Sequence, residues 1–128
     1  MKGCELGDPR RTIAVVDDDA SLRRSVGRLL NAYGFPAIEY ASAEAFLSRD
    51  SDTAVDCLIL DIDLGGMSGI QLQRRLREAG SNLPVILITA LDDDGLKVEA
   101  ENAGCIAYLR KPFAASALVA AVRRALQM

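Results

Sequence analysis

The chain has 128 residues and a 50% hydrophobic composition, enough apolar material for one core in one compact domain. Its 15 basic and 18 acidic residues leave a net charge of −3, which argues against direct binding to nucleic acid or to an anionic membrane surface. There is no histidine, so His-based nucleophilic or general-base catalysis and His-ligated metal sites are excluded, and any chemistry must use carboxylates, hydroxyls and lysine.

The opening MKGCELGDPRR lacks the apolar stretch of a secretory leader and reads as an N-terminal arm over residues 1–11 before a domain over 12–128. No apolar run approaches the roughly 20 residues of a spanning helix. Cys4, Cys57 and Cys105 are odd in number and lack metal-ligand spacing, which fits a reducing cytoplasm. The run IAVV (13–16) is continuous rather than alternating, as in a strand buried on both faces. Leu22, Val26, Leu29, Leu30 and Tyr33 then follow helical spacing, with Gly34 as the stop. AIEY (37–40) is weaker, and Glu39 suits an edge strand with one wet face.

CLIL (57–60) is the next buried run, and GGMSG (65–69) reads as a tight turn into a helix carrying Leu72, Leu76 and Ala79. That turn has neither the spacing nor the lysine of a phosphate-cradling loop. VILI (85–88) precedes the weakest helix: Asp92 to Asp94 favour its N-terminus, but its inward stripe is only Leu96, Ala100 and Ala103, which marks a segment able to move. IAYL (106–109) leads through Lys111-Pro112, where an X-Pro bond ordinarily marks a turn, to a last helix with Leu118, Val122, Ala125 and Leu126 inward. Strand and helix alternate five times, so an α/β domain with a parallel sheet covered on both faces is expected, without internal repeat or linker.

The residues that follow the buried runs are Asp17, Asp18 and Asp19, then Asp61, Thr89 and Lys111. In a parallel sheet these ends share one edge, where ligands of open α/β folds bind. A single aspartate there is ordinarily a turn or cap residue, and Asp19 suits the cap of the first helix. An acidic cluster, a second acid, a hydroxyl and a lysine at four different strand ends point instead to a pocket. Crowded carboxylates call for a cation, and oxygen-only donors favour Mg²⁺ over calcium, whose evenly spaced acidic ladder is missing. A carboxylate can attack phosphorus when cations and hydroxyls stabilise the transferring oxygens.

VVDDD, LILDIDLGGMSG, VILITA and YLRKPF, in this order, resemble the receiver domain of bacterial two-component response regulators from about Thr12 to Gln127. The resemblance implies a doubly wound five-stranded parallel sheet of order 2-1-3-4-5 with helices on both faces. It also implies Asp61 as phosphoacceptor, Asp17 and Asp18 as the Mg²⁺-holding pair, and Asp63 as a backbone-carbonyl ligand. Thr89 then matches the hydroxyl that turns toward the phosphoryl group, Lys111 the charge-neutralising lysine, Tyr108 the aromatic that follows Thr89, and Ala90 the small residue leaving room. Taken alone, Tyr108 and Phe113 would read as packing residues.

A histidine kinase or phosphotransfer protein is the implied donor, and the face of the fourth helix, fifth strand and fifth helix is the implied output surface and a possible dimer contact. Departures from the pattern are Gly65 where many receivers have proline, Asp63 as an added carboxylate near the acceptor, and an apolar Leu91 placed to shield the phosphoryl group. YASAEAFL (40–47) is similar to receivers that precede LuxR-type helix-turn-helix domains, and no such domain follows before Met128. The competing readings are a phosphohydrolase of the haloacid dehalogenase type, prompted by Asp61-Ile-Asp63, and a receiver-like interaction module that is not phosphorylated.

Overall fold

The structure, a computed structural model, describes residues 11–50 and 52–127. The expected N-terminal arm over 1–11, Arg11 apart, lies outside the described residues, as does Cys4. Five strands and five helices alternate: β1 (Ile13–Val16), α1 (Ala20–Ala32), β2 (Ala37–Tyr40), α2 (Ala43–Leu47), β3 (Cys57–Asp61), α3 (Gly69–Glu78), β4 (Val85–Thr89), α4 (Asp94–Asn102), β5 (Ala107–Arg110) and α5 (Ala115–Ala125). All pairings are parallel, as the alternation of strand and helix led us to expect, and the order is β2-β1-β3-β4-β5, as the resemblance to receivers implied.

Period-two alternation divides the central strands between two apolar layers. Ile13, Val15, Ile59, Ile86 and Ile88 pack with Val26 and Leu30 of α1 and Leu118 and Val122 of α5. Ala14, Val16, Leu58, Leu60, Val85 and Leu87 pack with Phe46 of α2, Leu72 of α3 and Ala100 of α4. β1, β3 and β4 are fully buried, which explains their unbroken apolar runs. Cys57 lies in the first layer, where burial pushes its thiol up to about 12 and leaves it inert.

Three expectations need correction. β5 begins at Ala107 rather than Ile106, and as an edge strand it is half-buried, so its apolar run reflects cover by α4 and α5 rather than burial on both faces. Tyr33 is 49% exposed because α1 ends beneath it, and its ring lies 5.9 Å from the Arg123 guanidinium. Ala79 is likewise the exposed cap residue of α3. Gly34, Gly80 and Gly104 close α1, α3 and α4 with φ of +86°, +85° and +92°, the left-handed conformation that only glycine adopts at no steric cost.

Candidate functional site

The carboxyl ends of β1, β3, β4 and β5 form one rim, and the chemistry-bearing residues meet on it. Carboxylate oxygens of Asp17, Asp18 and Asp61 lie within 4.8 Å of one another. Asp17 and Asp61 are 1% and 3% exposed, whereas Asp18 faces solvent. Lys111 reaches the cluster from beyond β5: its Nζ donates to Asp17 Oδ2 at 3.2 Å and to Asp61 Oδ2 at 3.1 Å. The Lys111-Pro112 bond is cis, whereas X-Pro bonds in loops are usually trans.

The other carboxylate oxygen of Asp17 and of Asp61 is held by backbone. Asp17 Oδ1 accepts from Asp19 N at 2.9 Å, and Asp61 Oδ1 accepts from Asp63 N at 3.1 Å. Asp19 itself caps α1, accepting from Ser21 N and Leu22 N, so it belongs to the helix and not to the cluster. Asp63 is exposed and its side chain stands outside the carboxylate cluster; only its N–H reaches Asp61.

Electrostatics set the two ends of the cluster against each other. Burial pushes the Asp61 carboxyl up to about 6; the Lys111 hydrogen bond opposes this and the Asp17 charge adds to it. Burial works against the Lys111 ammonium, yet the neighbouring Asp61 and Asp17 carboxylates outweigh it and hold its pKa above the usual lysine value. Three carboxylates facing one ammonium leave an excess of negative charge, and every donor is oxygen. That set is of the kind a hard divalent cation takes.

Thr89 ends β4 fully buried, and its Oγ1 accepts from Leu91 N at 3.0 Å. Ala90 and Leu91 are exposed beside it, Leu91 at 42%. Tyr108 of β5 is half-buried against the α3–α4 layer with its hydroxyl buried and unpaired, and burial raises its pKa. Phe113 packs on the α1–α5 layer as a loop anchor.

Two features of the loop between β3 and α3 escaped the sequence reading. A Cβ on Gly69 would collide with the Asp61 carbonyl oxygen, so the last glycine of GGMSG lets α3 start directly against the end of β3. Glu44 of α2 accepts from Met67 N at 3.2 Å, tethering the Gly65-Gly66 segment from outside. The α3 start is further fixed by a capping box between Ser68 and Gln71.

A sequence model described as the response regulator receiver domain matches residues 13–123. The chain belongs to this family. Among relatives, the response regulator protein TmoT of Ectopseudomonas mendocina is 36% identical over 123 residues, covering 96% of this chain and 56% of that protein. The transcriptional regulatory protein FixJ of Rhizobium meliloti (strain 1021) is 36% identical over 114 residues, covering 89% of this chain and 56% of its own length. The crystal structure of FixJ-N superimposes with a TM-score of 0.86 at 34% identity, covering 95% of this receiver and 96% of that chain. The receiver thus spans about half the length of the curated relatives it matches. Receivers of response regulators serve phosphorylation-dependent signalling and are not metabolic enzymes. No described helix is long and apolar enough to cross a membrane.

Proposed function

We propose that Asp61 accepts a phosphoryl group from a partner histidine kinase or phosphotransfer protein, and that residues 12–128 work in the cytoplasm as the resulting switch. The observation that carries this reading is a buried carboxylate at a strand end with an ammonium at 3.1 Å and two more carboxylates within 4.8 Å. When bound there, Mg²⁺ supplies positive charge to the incoming phosphoryl oxygens and to the crowded carboxylates.

Asp17, Asp18 and Asp61 would hold the cation by their carboxylates, and Asp63 by its backbone carbonyl. In the transfer an Asp61 oxygen forms the new bond to phosphorus, and the P–N bond to the donor imidazole breaks with its electron pair staying on that nitrogen. Lys111 already spans Asp17 and Asp61 and is placed to neutralise charge on the phosphoryl oxygens. The Thr89 hydroxyl can exchange its bond from Leu91 N for donation to a phosphoryl oxygen, which would draw on the backbone after β4. Tyr108 would follow, changing the face of α4, β5 and α5 that a target or a second receiver reads.

The haloacid dehalogenase reading, prompted by Asp61-Ile-Asp63, gains nothing from this geometry, because the second carboxylate of that pair is exposed and stands outside the cluster. The test is incubation with Mg²⁺ and acetyl phosphate, followed by intact mass. A single base-labile phosphoryl adduct in the wild type and none in Asp61→Asn is expected. Persistence of the adduct in Asp61→Asn would sink the assignment, and steady turnover of small phosphomonoesters would favour the hydrolase.

A further inference from the structure

Two oddities of the sequence have no role in the chemistry above: Gly27 in the middle of α1, where glycine is among the poorest helix formers, and Glu39 interrupting the apolar β2. The fold brings them together. A Cβ on Gly27 would lie 3.2 Å from Glu39 Oε2, so the absence of a side chain at 27 leaves room for the Glu39 carboxylate against α1. Glu39 Oε1 there pairs with Arg23 Nε at 3.3 Å, with the Arg23 side chain only 17% exposed. The other edge of the same guanidinium points at the rim of the sheet, where Nη1 donates to the Asp17 carbonyl oxygen at 2.7 Å.

The Asp17 main chain is therefore gripped on both sides. Its N–H donates to the Tyr40 carbonyl of β2 at 3.2 Å, and its C=O is held by Arg23. A guanidinium is suited to this because its planar fork serves two acceptors at once, whereas an ammonium is a point donor on a flexible stem. The grip falls on the peptide joining Asp17 to Asp18, and that peptide sets the directions in which the two carboxylates leave the backbone.

We infer that Arg23, held in place by Glu39 across Gly27, is a positioning residue for the Asp17–Asp18 pair and so for cation binding at the acidic cluster. This rests on the magnesium reading of that cluster. Charge and position make opposite demands on Arg23, which is what makes the inference testable. As a mere neighbouring cation it repels Mg²⁺, and its removal would tighten binding. As a positioning group its removal weakens binding, in the range in which outer partners of metal ligands ordinarily act.

The experiment is a Mg²⁺ titration of the whole chain at fixed ionic strength, followed through the backbone amide resonances of residues 17–19 and 61–63, with urea denaturation of each protein alongside. Arg23→Gln is expected to raise the Mg²⁺ Kd about tenfold and to shift the metal-free Asp18 and Asp19 amides. Arg23→Lys, which keeps the charge and the helix but loses the fork, is expected to behave similarly, and it keeps the test open if Arg23→Gln folds poorly. An unchanged or lower Kd in either folded variant overturns the inference and leaves the magnesium reading standing. Failure of the wild type itself to bind Mg²⁺ saturably overturns both.

Discussion

The rim at β1 and β3 and the side formed by α4 and β5 are built on opposite plans. At the rim every buried carboxylate oxygen of Asp17 and Asp61 has a partner, and the main chain around them is fixed by Asp19, Asp63, Arg23 and the Gly69 contact. Beneath α4 the stripe is only Leu96, Ala100 and Ala103, the Gln73 amide of α3 is fully buried with both ends unpaired, and the Tyr108 hydroxyl is buried and unpaired. The ion pairs there, Arg74–Glu99 at 3.5 Å and Arg110–Asp92 at 3.1 Å, have largely exposed side chains of the kind that contribute little, and the firmer side-chain ties, from Arg77 to the Gly104 carbonyl and from Arg124 to the Ile106 carbonyl, fall in the turn between α4 and β5. A switch needs both plans: a site stiff enough to orient in-line attack, and a neighbouring face close enough to instability for one new bond to shift it.

Lys111→Met breaks the stiff half most severely, since it leaves two buried carboxylates facing each other. Metal-free stability should fall by roughly 3 kcal/mol, with Mg²⁺ restoring part of it, as read by urea denaturation with and without the cation. The pH profile sharpens the same point. The folded-state pKa of Asp61, about 6, is raised above its ordinary 3.8, so the folded protein binds the extra proton between these values. The stabilisation is complete below the ordinary value and is lost as pH rises through about 6, a fall of roughly 3 kcal/mol for this one group. Urea midpoints for the metal-free protein from pH 4 to pH 7 should show it, and Asp61→Asn should flatten it.

On the looser side, Gln73→Leu replaces an unpaired buried amide with an apolar group of similar size. It should stabilise the protein by about 1–2 kcal/mol, slow amide exchange in α4 and blunt the response to phosphorylation. The smallest effect is expected for Glu44→Ala, which removes an exposed tether: less than about 1 kcal/mol in stability, with faster exchange of the Met67 amide as its visible mark.

Much of this division was legible beforehand. Continuous apolar runs gave away the buried strands, and the residues just past them gave away the rim, because a parallel sheet brings strand ends together whatever the loops do. The thin stripe of α4 was visible as well. Hidden were features whose cause lies on another element: Gly69 is set by the Asp61 carbonyl, Gly27 by Glu39, and the pairing of Arg23 with Asp17 by the closeness of α1 to β2. The five-residue α2 is too short to show a period, so Glu44 could not be placed over the loop. Asp63 was expected to add a carboxylate beside the acceptor, but its side chain is exposed and stands outside the cluster, which adjacency in sequence does not show.

Hydrogen exchange of the whole chain with Mg²⁺, before and after addition of acetyl phosphate, compares the two regions directly. Protection is expected to change chiefly over residues 89–110 and little over 13–18 and 57–61, in the wild type but not in Asp61→Asn. A response confined to the rim, or one that survives in Asp61→Asn, would contradict this division.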